Sequence, residues 1–345
     1  MKAIMLTGIR QMEMQEIPTP MVVNDTDVLI KMKRVGVCGS DVQYYTTGKI
    51  GDQIVQYPFP VGHEGAGEVE KVGSAVNSVK PGDRIAIEPA MHCFECDQCL
   101  EGRYHTCRKL NFLGCPGQAD GCLSEYIVMP ESSCIAISDG LSYDQAAISE
   151  PLAIGVYAVK QAGSMEGKSI GILGFGPIGM SVMLAAMTQG AKKIYVTDKI
   201  EERNQIALKL SASFAGNPDK EDIVSSIINK EPKMLDVIFE CCGKQDAMDN
   251  AVDLLKPGGK LMIIGIPEFD HWSFSVDHLR RKELSIINVR RQVDCVEPSL
   301  EMMLDGRIDV SLMPTHRFKF SDTKAAFDLV TDYKDGVMKA MIDFE

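Results

Sequence analysis

The sequence predicts an α/β protein in which a doubly wound parallel sheet is inserted into a discontinuous β-rich domain. Three observations carry that expectation. Residues 168–198 run strand, glycine turn, helix, strand and terminal acid. From Lys168 onward apolar strand-like runs alternate with amphipathic helices, whereas up to about Pro130 short strands are broken by Gly, Pro and Asp. Beyond Arg291 the chain returns to mixed short elements. The expected domains are 1–151 with 291–345, β-rich, and 152–290, the inserted sheet, with a cleft between them for a substrate.

In chain order, residues 28–32 and 84–87 read as half-buried strands, while 68–72 has a poorer strand pattern but is bounded by glycines on either side. From about Leu141 the pattern is helical through Ala162. The apolar run 170–173 suits a buried parallel strand, and 194–197, 235–239 and 261–264 continue the sheet. Between the first two strands lies Gly174-Phe175-Gly176-Pro177-Ile178-Gly179, followed by a helix whose Met180, Met183 and Met187 share one face and read as core packing. The glycines allow a tight turn and close approach to a pyrophosphate, whose charge sits at the positive end of the helix. Asp198, about twenty residues on, would accept hydrogen bonds from a ribose diol and repel a ribose phosphate. The bland alternative is an empty structural turn. Residues 285–289 and 337–342 are the last strand-like runs.

At 345 residues the chain can bury two cores. Its formal charge of −12 argues against a nucleic-acid or membrane-surface partner, both of which need a positive face. No apolar run reaches membrane-spanning length and the opening residues are too short for a signal peptide, so a cytoplasmic location is expected. Eleven cysteines then suggest metal ligands and core thiols before disulfides.

Cys93-x-x-Cys96-x-x-Cys99 and Cys107 supply four soft ligands in a lobe at about 92–108. Tetrahedral zinc fits them and would have no open position, making the site structural. An iron–sulfur cluster is the rival, since this spacing also begins ferredoxin runs and Cys115 precedes Pro116, but the later spacing misses that pattern. Unlinked thiols are the bland reading, and His92 and His105 merely border the set. A second set is scattered: Cys38 in Gly36-Val37-Cys38-Gly39-Ser40-Asp41, His63-Glu64, and Glu150 before Pro151. A lone Cys or His is more often a packed core residue than a ligand. Adjacent glycines let the backbone approach a crowded site, and one thiolate, one imidazole and a carboxylate would leave an open position suited to a catalytic zinc.

At these residues the chain resembles the zinc-containing medium-chain dehydrogenases, and within them the polyol (sorbitol and xylitol) dehydrogenases, over nearly its whole length. The resemblance rests on Gly62-His63-Glu64-x-x-Gly67 with Gly73 and Val76, on Val37-Cys38-Gly39-Ser40-Asp41-Val42, and on Glu150-Pro151. It implies a Rossmann domain inserted into a GroES-like catalytic domain, and two zinc ions per chain. One would be catalytic, on Cys38, His63 and a carboxylate, with Glu64 and Glu150 bound directly or through water. The other would be structural, on Cys93, Cys96, Cys99 and Cys107. Glu150 stands where alcohol dehydrogenase, the familiar Cys₂His example, has its second cysteine. The resemblance further implies NAD as cofactor. Ile178, Asp198 and Arg203 would surround its adenosine half, and Ile264, Gly265, Ile266, Val289, Arg290 and Arg291 would lie near the nicotinamide. Arg203 could also anchor a 2′-phosphate, but an intact Asp198 favours NAD.

Ser40, Tyr44, Glu150 and Arg291 match positions that contact the sugar alcohol or its proton path. Gln43 replaces a relay histidine, Gln292 replaces a tyrosine of the animal sorbitol enzymes, and Arg290 adds a charge compatible with an acidic or phosphorylated substrate. The implied reaction is reversible oxidation of a polyol's secondary hydroxyl to a ketone. The alternatives are zinc dehydrogenase chemistry on a butanediol, threonine, a sugar acid or a polyol phosphate, or a zinc-bearing binding protein without turnover. A homo-oligomer, dimer or tetramer, is expected through the strand edge at 285–289.

Overall fold

The computed structural model describes residues 1–344 and divides into two compact units. The first comprises residues 1–150, 296–306 and the chain from 314 onward; the second comprises 151–295 and 307–313.

In the first unit a seven-stranded sheet runs in the order Cys134–Ala136, Arg84–Ile87, Glu64–Val72, Asp27–Gly36, Lys339–Asp343, Pro314–Lys319, with Tyr126–Pro130 also paired to Asp27–Gly36. Asp27–Gly36 is the middle strand, antiparallel both to Glu64–Val72 and to Lys339–Asp343. Val28, Ile30, Met32 and Val35 on it are buried in a core with Val69, Ile85, Ile127 and Ile342. The strand expected at 68–72 in fact begins at Glu64. Gly73 does follow the strand's end, but Gly67 is strand interior rather than a boundary, because the Lys31 carbonyl and the Ile30 side chain fill the space a side chain would take. A helix not expected in this β-rich stretch, Gly39–Thr47, starts immediately after Cys38, whose own backbone is extended.

Helix Tyr143–Ala162 carries Glu150 at its middle, with Pro151 next. Its first turn is pinned to the sheet: Arg34 on the middle strand reaches Asp144 at 2.8 Å and Asp343 at 2.5 Å.

The second unit holds a six-stranded, all-parallel sheet in the order Phe214–Gly216, Lys193–Thr197, Ser169–Leu173, Leu235–Glu240, Leu255–Ile263, Ser285–Asn288. Buried Ile170, Ile172, Val196 and Ile238 explain the near-continuous apolar runs, since a parallel sheet is covered on both faces. Helix Pro177–Thr188 opens on the glycine turn, and Met180 and Met183 are fully buried. Met187 corrects the expected core stripe: it is 41% exposed, because it lies in the last turn, where the face has run past the apolar side chains it would cover. Among the described residues no helix is long and apolar enough to cross a membrane.

Candidate active site

The four-cysteine lobe hangs between two short paired strands, Ala90–Met91 and Asn111–Phe112. Cys96 precedes helix Asp97–Leu100, and Cys107 follows the 3₁₀ turn Tyr104–Thr106. The sulfurs of Cys93, Cys96, Cys99 and Cys107 all lie within 4.8 Å of one another. Separations of 3.4 Å (Cys93 to Cys107), 3.6 Å (Cys96 to Cys99) and 3.9 Å (Cys96 to Cys107) match the roughly 3.8 Å expected of sulfurs held tetrahedrally about 2.3 Å from one ion. The set therefore fits a single zinc. It is too tight to enclose an iron–sulfur cubane, and Cys115 lies apart from it, 3.9 Å from the Tyr44 hydroxyl. Backbone N–H groups of Arg108 and then Cys99 lower the Cys96 thiol to about 6, so it is a ready thiolate at neutral pH. Burial, then bonds to Cys96 and Cys107, pushes Cys99 up to about 12, and that proton would leave with metal uptake.

The scattered residues also converge. Cys38 caps helix Gly39–Thr47, and Ser40 Oγ donates to its sulfur at 3.3 Å. His63 sits where the chain enters strand Glu64–Val72; it is 6% exposed, and its ring centroid is 5.3 Å from that of Phe112. Its Nδ1 donates to buried Asp41 Oδ1 at 3.2 Å, an oxygen that also accepts from the Gly62 N–H. That bond fixes the tautomer and leaves Nε2 as the ligand atom. Burial alone would lower the His63 pKa, but the charges of Asp41 and Cys38, with hydrogen bonds to both, carry it well above the ordinary value.

Both oxygens of buried Glu64 are held by Lys339 Nζ at 2.6 Å. Burial opposes the lysine's charge, but Glu64 and Cys38, the bond to Glu64, and Glu150 raise its pKa. Glu64 thus holds the ammonium directly, and the charges of Cys38 and Glu150 act on it as well. Thiolate, imidazole and buried carboxylate form the mixed donor set that suits an open zinc site. Among the described residues the four cysteines are the group of metal-ligating side chains whose atoms all close to 4.8 Å; Cys38, His63 and either glutamate do not reach that range.

Of the other expected residues, Tyr44 is buried and its hydroxyl donates to Gln53 at 2.9 Å. Arg291 takes a left-handed φ of 50° beside buried Gln292. At the glycine turn, Gly174 has φ 94°, and a side chain at Gly179 would overlap the Gly174 carbonyl, so both glycines are demanded by the backbone. Asp198 follows strand Lys193–Thr197 and accepts from the Phe175 N–H at 2.7 Å and the Ile200 N–H at 2.9 Å, while buried Arg203 approaches to 3.7 Å. The acid therefore also staples the turn to the second strand. Ile264 and Gly265 donate their N–H groups to the Glu240 carbonyl, Val289 donates to the Ile263 carbonyl, and Ile266 is exposed.

Sequence reasoning missed four contributors: Asp41, Lys339, Phe112 and Glu240, whose carboxylate accepts from the Cys242 and Gly243 N–H groups at 2.8 and 2.7 Å. Glu240 had a readable signal, an acid closing an apolar strand as Asp198 nearly does. Asp41→Asn should weaken metal binding at Cys38 and His63 by about 10- to 100-fold. Chelator competition measures this, with the four-cysteine site as internal control; an unchanged affinity would remove Asp41 from the site.

Residues 24–139 match the family model "Alcohol dehydrogenase GroES-like domain", and residues 177–305 match "Zinc-binding dehydrogenase". The chain is 34% identical to a sorbitol dehydrogenase of Bacillus subtilis (strain 168), covering 99% of this chain and 97% of that protein. It is 33% identical to L-idonate 5-dehydrogenase of Vitis vinifera, covering 94% and 90%. An oxidoreductase/dehydrogenase of unknown specificity from Escherichia coli has a solved structure with TM-score 0.93 at 32% identity, covering 99% of this chain and 98% of that one.

Proposed function

This chain belongs to the zinc-containing alcohol dehydrogenase family, and on that premise we propose that it oxidises a secondary hydroxyl of a polyol to a ketone, reversibly, with NAD. The observation that carries the reading is the placing of Cys38 beside Ser40, His63 on buried Asp41, and Glu64 on Lys339, with Cys38 and Glu64 both acting on that lysine. When bound, zinc supplies the Lewis acidity that brings a hydroxyl's pKa toward neutrality, and NAD supplies the hydride acceptor.

The chain's own residues do the rest. Cys38 and the Nε2 of His63 hold the metal, with a carboxylate from Glu150 or Glu64. Asp41 orients the imidazole, and Ser40, already within hydrogen-bond reach of Cys38, passes the hydroxyl proton outward. Tyr44 and Arg291 contact the polyol. The free N–H groups in the first turn of helix Pro177–Thr188 receive the pyrophosphate and Asp198 the ribose, while Ile178, Arg203, Gly265 and residues 289–291 frame the remainder of the dinucleotide. The second zinc, on Cys93, Cys96, Cys99 and Cys107, orders its lobe. The protein acts in the cytosol as a homo-oligomer paired through the edge strand Ser285–Asn288.

The test is a substrate panel read by NADH absorbance: sorbitol and xylitol against butanediol, threonine, a sugar acid and a polyol phosphate. The polyols should have the highest kcat/KM. A clear preference for any of the others would displace the polyol assignment, and no turnover of any would favour a binding protein. In the same assay Asp198→Ala should lower the NAD-to-NADP preference by about tenfold, roughly 1.4 kcal/mol of discrimination. An unchanged ratio would leave Asp198 with its turn-stapling role alone.

A further inference from the structure

Glu240 closes strand Leu235–Glu240, which lies between Ser169–Leu173, the strand that feeds the glycine turn, and Leu255–Ile263, the strand that feeds residues 264–266. The strand order reverses between Ser169–Leu173 and Leu235–Glu240, so this carboxyl end borders the crevice in which an open parallel sheet takes its ligand. Glu240 is fully buried. One carboxylate oxygen, Oε1, accepts from the N–H groups of Cys242 at 2.8 Å and Gly243 at 2.7 Å, and from the Cys242 thiol at 3.0 Å. The main-chain carbonyl of the same residue accepts from the N–H groups of Ile264 at 2.9 Å and Gly265 at 3.0 Å. Glu240 therefore grips both loops, 241–243 with its side chain and 264–266 with its backbone. The loops also meet directly. A side chain at Gly265 would overlap the Gly243 nitrogen and Glu240 Oε2, and one at Gly243 would overlap the Ile266 carbonyl. Cys242 extends the contact to the glycine turn, because its Cβ lies in the space a side chain at Gly174 would take.

Local stability does not account for an acid here. Oε2 is buried with no hydrogen-bond partner among the described residues, and a carboxylate left half-satisfied away from water is a cost. What the side chain supplies is a fixed spacing: two successive N–H groups are drawn to one charged oxygen, a stronger tie than a neutral acceptor would make. We propose that Glu240 is a positioning residue for the cofactor, setting the gap between loops 241–243 and 264–266 and through it the seat of the nicotinamide half. The proposal rests on the reading of the glycine turn and residues 264–266 as the dinucleotide's seat. The adenosine half is independent of this gap, since Asp198 follows Lys193–Thr197, on the opposite side of Ser169–Leu173.

The test compares two ligands: NADH, titrated by its fluorescence, and ADP, which carries the adenosine and the phosphates but no nicotinamide, titrated by calorimetry. Glu240→Ala should weaken NADH binding by about tenfold, the loss expected when bonds to a charged group are removed, and leave ADP binding unchanged. Glu240→Gln, which keeps an acceptor oxygen for the two N–H groups, should restore NADH binding. Equal weakening of both ligands, no weakening of NADH, or no rescue by glutamine would overturn the proposal while leaving the dinucleotide reading intact. Wild-type protein that binds neither ligand would overturn that reading and the proposal together. Should Glu240→Ala fail to fold, Gly265→Ala pushes the same two loops apart with Glu240 left in the chain. It should produce the same split between NADH and ADP, and an absent split would overturn the proposal equally.

Discussion

Cys38→Ser, or His63→Ala, is expected to abolish turnover while NADH binding persists. The expected loss is about a thousandfold or more in kcat/KM, since the metal contributes several kcal/mol at 1.36 kcal/mol per tenfold. The two variants differ in their side effects. His63→Ala takes the imidazole from the Asp41 carboxylate, 1% exposed, leaving it the Gly62 N–H, and a buried charge that loses its main partner costs about 3–5 kcal/mol of stability. Cys38→Ser keeps size and hydrogen-bonding capacity, so it is the cleaner probe. Kinetics, metal content and an NADH fluorescence titration on one sample check the expectation, and full activity in a metal-free preparation of either variant would refute the mechanism.

The pKa of His63 adds a pH signature. Burial pulls it down, but the charges of Asp41 and Cys38 win and carry it up. Because a metal-bound imidazole must be neutral, uptake at this site should release protons and weaken as pH falls. In the metal-free chain the sign for stability is the reverse. A raised folded-state pKa stabilises fully below the ordinary imidazole value, and that contribution disappears as pH rises through the folded value.

The second large effect is expected at the four cysteines. Cys96→Ser or Cys99→Ala should halve the zinc content, from two ions per chain to one, and melt residues 92–108 while the two cores persist. Besides the thiols the lobe is tied by the exposed ion pairs Arg108–Asp97 and Lys109–Glu95, of little worth at the surface, and by ring contacts among His92, Phe94 and Tyr104. Its ordered elements are one four-residue helix and one 3₁₀ turn, and Phe94 and Leu100 are exposed. Its apolar support is a small cluster of Ala90, Phe112 and Cys115 at the base. Ordering each backbone residue costs about 1–2 kcal/mol, which so little apolar burial does not offset, whereas structural zinc contributes about 10–16 kcal/mol in comparable small sites. Hydrogen exchange should show lost protection confined to the lobe. Full protection with one zinc removed would mean the thiols are merely packed there.

Particular residues show what could be read before folding was known. Cys93, Cys96, Cys99 and Cys107 lie so close along the chain that a single short loop must bring them together, and their spacing sufficed. The turn from Gly174 to Gly179 is equally local, since its glycines meet backbone conformations set within a few residues. Met187 misled because a helical repeat says which face is apolar but not where the neighbouring core stops. Gly67 misled because a glycine's usual meaning as a strand boundary fails when the adjacent strand, at Ile30 and Lys31, occupies its space.

The chain's alternation of apolar runs and its local motifs were enough to determine two kinds of sheet, a glycine turn between strand and helix and a lobe of four converging cysteines, because each depends on interactions between residues near in sequence. Tertiary structure alone decided that Asp41 would hold His63 and that Lys339 would reach Glu64. Those partners lie on separate segments, and nothing in either segment's spacing records the strand order that makes them neighbours. Burial then makes the pairings obligatory, because each charge, once removed from water, needs its counterpart within hydrogen-bond reach.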